Sequence, residues 1–145
     1  MNLPLLNIAI LLFICSLSSC GNKDENVILI KKCPDFAITG NGTDKNWEET
    51  NWIPLSRTSA TGKNYDTKVK ALYSSTGIYF LFYCQDNKIT ATLKNDFLDL
   101  WNEDVVEVFL LPSHPDPVYF EYELSPLNFE LPIIVHNDNG KLNSW

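Results

Sequence analysis

The sequence predicts an all-β fold, an antiparallel β-sandwich, on two observations. From residue 68 onward, apolar residues recur with a period of two in short runs rich in aromatic and β-branched side chains, and turn signals separate the runs. After the first 20 residues no stretch keeps a 3.6-residue apolar period for three turns, although residues 96–101 fit one short helical turn. The predicted strands are Lys68–Tyr73, Ile78–Cys84, Ile89–Leu93, Val105–Leu111, Val118–Leu124 and Pro132–His136. Runs at this spacing favour a sandwich over an α/β fold.

The first 20 residues have the features of a bacterial lipoprotein signal. Residues 3–15 form an uncharged apolar stretch that is too short to span a bilayer. Leu17-Ser18-Ser19-Cys20 follows and resembles a lipobox, in which the cysteine is lipidated and becomes the new N-terminus. We expect residues 1–19 to be removed as a signal peptide, Cys20 to carry the lipid and residues 20–35 to form a polar tether. A buried N-terminal helix with an incidental cysteine is the alternative.

The polar residues directly after Cys20 indicate where the protein is anchored. Gly21-Asn22-Lys23-Asp24-Glu25 is similar to the acidic tags that direct some lipoproteins to the outer face of the outer membrane. We therefore expect a lipid-anchored protein of the bacterial cell envelope, in the outer membrane and exposed on the cell surface.

Charge and cysteine content limit the partners and the chemistry. The 11 basic and 18 acidic residues all follow residue 19, so the mature chain keeps the formal charge of -7, which argues against nucleic acid and against a polybasic membrane patch. About 125 residues remain after the signal, enough for one domain with its own core, which we assign to residues 36–145. Cys33 and Cys84 either pair in an oxidising compartment or stay as thiols, and no Cys/His spacing indicates zinc.

Alternation gives two of the predicted strands a polar face and an apolar face. In the run 105–111, Glu107 shares its face with Val105, Phe109 and Leu111. In the run 118–124, Tyr119, Glu121 and Glu123 lie opposite an apolar set. If these strands are neighbours, Glu107 and the row Tyr119, Glu121 and Glu123 share one sheet face, and the other face packs on the core.

The order of several motifs resembles the family 9 carbohydrate-binding module. Trp47 follows a Gly-rich turn, and the motif Trp-x-x-Asp-x-x-Glu at residues 101–107 precedes the Tyr/Glu-rich strand 119–124. The segments 67–73 and 77–82 fit the same order, and the resemblance covers about residues 36–145. More narrowly, the chain is similar to the family 9-like lipoproteins of polysaccharide-degrading bacteria.

The resemblance implies a β-sandwich that holds sugars against tryptophan, commonly binds structural calcium and often accompanies glycoside hydrolases. Trp101 matches the first sugar-stacking tryptophan, and Glu107 matches the carboxylate that accepts sugar hydroxyls. The strand with Tyr119, Glu121 and Glu123 matches the one that supplies further polar contacts. The second stacking tryptophan has no secure counterpart, Trp145 being the only late candidate, and such domains continue further, so we expect the sandwich to be incomplete at its C-terminus.

Sugar chemistry supports this assignment from the residues alone. A pyranose packs its C–H face on a flat ring and needs fixed acceptors for its hydroxyls, so an exposed Trp101 beside carboxylates suits it. The alternative is that Trp101 is a core or edge residue among solvated acids. We expect Trp47 and Trp52 to be core aromatics.

Acidic residues in the predicted loops are candidate calcium ligands. Calcium takes six to eight oxygens, mostly from carboxylates and backbone carbonyls. The candidates at strand ends are Asp86, Asp96, Asp99, Glu103 and Asp104. The alternative is that these acids are only solvated.

Two other classes of function compete with sugar binding. Glu121 and Glu123 lie about 7 Å apart on one strand face, within the range of a glycosidase pair. An open sheet face offers little desolvation to raise a catalytic pKa, so we expect a non-catalytic module that binds oligo- or polysaccharide beside glycoside hydrolases. A structural or protein-binding sandwich predicts the same strands without a role for Trp101.

Overall fold

The computed structural model describes residues 27–57, 62–112, 117–138 and 140–144. The expected signal peptide, Cys20 and Trp145 lie outside these ranges. The strands are β1 Lys31–Lys32, β2 Ile53–Pro54, β3 Thr67–Tyr73, β4 Ile78–Cys84, β5 Val106–Leu110, β6 Val118–Leu124, β7 Glu130–Asp138 and β8 Lys141–Ser144. Two 3₁₀ turns, η1 Lys45–Glu49 and η2 Leu100–Asn102, complete the elements of the described ranges. None of the helical elements described is long and apolar enough to cross a membrane.

The strands form two four-stranded sheets. In the first, β4 pairs with β3 along its full length, and the short β1 and β2 also pair with β3. The second is an antiparallel meander in the order β5-β6-β7-β8. Every pairing is antiparallel except that of β1 with β3. The predicted all-β antiparallel sandwich is confirmed.

The prediction of a strand at Ile89–Leu93 is wrong. The segment belongs to neither sheet, because its backbone amides are taken by side chains instead of a neighbouring strand. The Asp104 carboxylate accepts from Thr90 N at 2.6 Å, and the Glu103 carboxylate accepts from Thr92 N at 2.5 Å and Leu93 N at 3.1 Å. Of residues 96–101, which were expected to form one helical turn, only Leu100 and Trp101 belong to a helical element, η2.

The best-packed core lies on the outer face of the first sheet. The buried residues Cys33, Trp47 and Leu72 form it together with Phe36, Tyr79 and Leu81. Phe36 meets Trp47 edge-on at 5.3 Å between ring centroids and stacks on Tyr79 at 4.5 Å. The prediction of a core role is therefore confirmed for Trp47.

Trp52 is not a core residue. Its side chain is 38% exposed, and the Lys68 and Lys70 ammonium groups lie 5.5 and 5.2 Å from its ring. The expectation that Trp52 is buried is wrong. Lys68 and Lys70 of β3 lie beside its ring, where apolar side chains would be needed to cover the indole.

The inner faces of the two sheets enclose an open apolar cleft of about 850 Å³. Its walls include Ile78, Phe80 and Phe82 of β4 and Val108, Phe120 and Tyr122 of the second sheet. Phe120 is still 42% exposed, so the apolar face of β6 is only partly packed, contrary to the expectation of a closed core on that side.

Cys33 and Cys84 do not form a disulfide. Cys33 N donates to the Tyr73 carbonyl at one end of β3, whereas Cys84 pairs with Thr67 at the other end. A seven-residue strand separates these ends by ~20 Å, well beyond the reach of a disulfide.

Candidate functional site

The register of β5 and β6 places the predicted polar residues on one face. Glu107 lies directly opposite Glu123, and Phe109 lies opposite Glu121. Residues opposite each other in an antiparallel pair point to the same side of the sheet. We call the surface formed by Glu107, Phe109, Tyr119, Glu121 and Glu123 the acidic face. The shared face predicted from alternation is confirmed.

Three carboxylates of the acidic face are close together. Each of Glu107, Glu121 and Glu123 places a carboxylate oxygen within 4.8 Å of the others. Glu107 and Glu121 are partly exposed, whereas Glu123 is 0% exposed. Neither carboxylate oxygen of Glu123 has a hydrogen-bond partner. A direct contact between Glu123 and a sugar is therefore not open in this arrangement, although the sequence placed it among the binding residues.

Burial and mutual repulsion change how these acids ionise. Burial raises the pKa of Glu123 to about 7, and the charges of Glu107 and Glu121 act in the same direction. A side-chain contact with Glu121 raises the pKa of Glu123 further. The Trp101 backbone N–H, which lies near the carboxylate but outside strict hydrogen-bond geometry, only partly offsets the rise. Burial, followed by the charge of Glu121, also raises the pKa of Glu107. The expectation that this sheet face provides little desolvation is wrong for Glu123.

The turn η2 covers Glu123 and presents Trp101. Leu100 is buried, η2 contacts β6, and Glu103 N donates to the Leu100 carbonyl at 2.9 Å, which closes the turn. Because Leu100 points inward, its neighbour Trp101 points outward and its side chain is 49% exposed. The structure thus brings the backbone of Trp101 next to Glu123 and leaves its indole half exposed.

Phe109 is an aromatic of the acidic face that the sequence did not select. It is 56% exposed, and its ring lies 6.0 Å from that of Tyr119, tilted by 51°. The signal was available, because Phe109 has the same strand parity as Glu107. Because its side chain is apolar, Phe109 was not expected to take part in binding.

The five loop acids predicted as calcium ligands do not gather at one point. Glu103 and Asp104 hold the segment 89–93, and the hydrogen bonds from Thr92 and Leu93 lower the pKa of Glu103. Asp86 accepts from Lys88 N at 3.1 Å, and Asp96 accepts from Glu130 N at 3.0 Å. Asp99 precedes η2 without a capping hydrogen bond. In the ranges that the structure covers, three acids come together only at Glu107, Glu121 and Glu123. Calcium at the loop acids stays a prediction.

A comparison with known families assigns the domain. The family described as "Carbohydrate family 9 binding domain-like" matches residues 38–132. The chain belongs to this family. The matched segment of this family 9-like domain contains Trp101, Glu107 and all of β6, so the whole carboxylate cluster lies within it. No curated protein and no solved structure matches the chain at a significant level.

Family membership also bears on the choice between binding and catalysis. The family 9-like description is that of a binding domain. The carboxyl group with the most strongly raised pKa of this face, Glu123, is buried in this arrangement.

Proposed function

We propose that this family 9-like domain binds carbohydrate on its acidic face, with Trp101 as the stacking platform. The observation that carries the proposal is the half-exposed indole of Trp101 on the turn that covers the carboxylate cluster. An accessible flat ring beside fixed acceptors suits the C–H face and the hydroxyls of a pyranose.

The roles of the individual residues follow from their exposure. Glu107 and Glu121 are accessible and can accept hydrogen bonds from sugar hydroxyls. Tyr119 and Phe109 border them and provide further apolar contact area. Glu123 is buried beneath them and makes no direct contact with the sugar in this arrangement.

We further propose a cellular setting for this binding. The lipobox-like sequence at Cys20 supports a lipid-anchored protein of the bacterial envelope, at the outer membrane and facing outward. There the domain holds oligo- or polysaccharide near glycoside hydrolases and so supports carbohydrate catabolism without cleaving glycosidic bonds itself. The alternative is a structural or protein-binding sandwich lipoprotein that lacks a sugar site.

Calorimetry or affinity electrophoresis over a panel of soluble glycans tests the binding proposal. We expect at least one glycan to bind, and Trp101→Ala to weaken it by about tenfold or more, because the stacking surface is lost. Trp52→Ala is the matched control, since Trp52 is also partly exposed but lies against β3 of the other sheet. It should bind like the wild type.

Three outcomes would contradict the proposal. The wild type binds none of the glycans, Trp101→Ala binds unchanged, or both tryptophan variants lose affinity equally. Hydrolysis of a chromogenic glycoside by the wild type, lost in Glu121→Gln, would instead identify a glycosidase.

A further inference from the structure

The surroundings of Glu123 disfavour its charged form. Its side chain is 0% exposed, and neither of its carboxylate oxygens accepts a hydrogen bond from the residues that the structure describes. Burying a charge without such partners is costly, and a carboxylate in this position takes up a proton instead of keeping its charge. The burial and the missing donors therefore favour the neutral acid.

The elements packed around Glu123 add negative charge and no basic group. Glu107 lies opposite on β5, Glu121 precedes it on the same face of β6, and oxygens of the three carboxylates lie within 4.8 Å of one another. On β7 the opposite residue is the apolar Leu131, and η2 offers only the Trp101 backbone N–H, outside strict hydrogen-bond geometry. Burial and then the two neighbouring charges raise the pKa of Glu123 from 4.5 to about 7.

A proton on Glu123 gives these carboxyl groups a way to bond each other. Two ionised carboxylates can only accept hydrogen bonds, so Glu121 and Glu123 repel each other while both are charged. A protonated Glu123 is a donor, and Glu121 is the acid whose side chain contacts it. A hydrogen bond from a neutral acid to a carboxylate belongs to the strong, charge-assisted class. The proton thus replaces a repulsion by a bond and removes one of three like charges.

We propose that Glu123 is a positioning residue, which as a neutral acid donates a hydrogen bond to the Glu121 carboxylate. Glu121 is partly exposed, so the pair leaves a charge at the surface, on an acceptor held from beneath. Because η2 contacts β6 above Glu123, the neutral acid also keeps this turn and Trp101 in place. Ionisation of Glu123 restores the repulsion and draws water under η2, so Glu121 and Trp101 lose their fixed positions.

The carboxyl carbon resonances of the ¹³C-labelled full-length chain test the proton directly, without any sugar. In the wild type we expect one glutamate carboxyl to titrate near pH 7. This titration should be missing in Glu123→Gln and unchanged in Glu48→Gln, which removes the same charge from the exposed part of η1. Glu121→Gln should move the midpoint to lower pH, because the charge that accepts the proton is gone.

Three results of this titration would overturn the proposal. Every glutamate carboxyl of the wild type titrates below about pH 5.5, as unperturbed glutamates do. The titration near pH 7 survives in Glu123→Gln. The midpoint is the same in Glu121→Gln as in the wild type, which would show that Glu121 is not the partner.

The stability of the fold should report the same proton. Glu123 ionises near 4.5 in the unfolded chain and near 7 in the folded chain, so the wild type loses stability as the pH rises through this window. Glu123→Gln stays neutral and still donates through its amide, so its melting temperature relative to the wild type should be about 5 °C or more higher at pH 8 than at pH 5. Glu48→Gln should follow the wild type. A Glu123→Gln curve that runs parallel to the wild type contradicts the proposal.

The effect on sugar affinity rests on the proposed function and is measured separately. For a glycan that binds, the wild-type affinity should fall about threefold or more from pH 5.5 to pH 8.5, whereas Glu123→Gln should keep its affinity. If both proteins change equally, the positioning role is overturned. If the carboxyl titration and the melting curves agree with the expectation but no glycan binds, the proposed function fails and the bonded acid pair stands.

Discussion

Asp35 shows how a single exposed carboxylate connects the N-terminal segment to the first sheet. Its Oδ1 accepts from Thr76 Oγ1 at 2.6 Å and from the Tyr79 hydroxyl at 2.9 Å, both at the turn between β3 and β4. The hydroxyls of Ser74, Thr76 and Tyr79, in that order of effect, favour the charged form and hold the pKa of Asp35 below its usual value of 3.8.

The lowered pKa of Asp35 gives the stability a defined pH dependence. A carboxyl group whose pKa is lower in the folded chain than in the unfolded chain stabilises the fold at pH values above about 3.8. This contribution is lost as the pH falls through the pKa of the folded state. Asp35→Asn should therefore lower the melting temperature at pH 7. The difference from the wild type should shrink below about pH 3.8. Melting curves from pH 3 to pH 7 check this, and a difference that stays constant over that range would contradict it.

At the scale of elements, two carboxylates replace the neighbouring strand that the segment 89–93 lacks. Glu103 accepts from the amides of Thr92 and Leu93, and Asp104 both accepts from Thr90 N and donates its own N–H to the Thr90 carbonyl at 3.0 Å. The segment is thus held beside the start of β5 by one pair of adjacent residues. Because Ile89, Thr90 and Thr92 are exposed, we expect the position of the segment to depend on those two carboxylates more than on packing.

Removing the Glu103 carboxylate should loosen this segment selectively. In Glu103→Ala, the amides of Thr92 and Leu93 lose their acceptor, so their hydrogen exchange should be about tenfold faster or more, while the amides of β6 stay protected. Glu49→Ala, an exposed glutamate of η1, is the control and should leave the exchange of Thr92 and Leu93 unchanged. Equal exchange in the wild type and Glu103→Ala would show that packing, not the carboxylate, holds the segment.

The same elements show what a sequence can and cannot reveal. The shared face of Glu107 and Glu121 was predictable, because strand alternation is local and β5 and β6 follow one another along the chain. The burial of Glu123 could not be predicted, because it depends on where η2 packs in the folded chain. The run 89–93 has the composition of a strand but no partner strand, and whether a partner exists is a property of the whole fold. Phe109 was placed on the correct face and overlooked only because its side chain is apolar.

For the whole molecule, stability is distributed unevenly across the first sheet. The packed cluster around Leu72 lies on the outer face, under the N-terminal segment, and Leu72 is 0% exposed. The inner face looks onto the open cleft, where Phe120 of the second sheet remains 42% exposed. Most of the apolar free energy of folding should therefore come from the outer side.

Two truncations measure this difference. Leu72→Ala should reduce the free energy of unfolding by about 2–5 kcal/mol, because it opens a cavity in a closed cluster. Phe120→Ala removes a larger side chain but should cost ~1 kcal/mol, because much of its ring already contacts water. Urea denaturation gives both values. An equal or larger cost for Phe120→Ala would show that the cleft closes in solution.

The burial of Trp47 should also make its fluorescence differ from that of Trp52 and Trp101. Its indole is 5% exposed and lies against Phe36, so its fluorescence is shielded from aqueous quenchers and from ligands at the acidic face. The indoles of Trp52 and Trp101 are accessible, so we expect them to emit at longer wavelength than Trp47. Trp47 thus supplies a constant internal reference against which a change in the emission of Trp101 can be read.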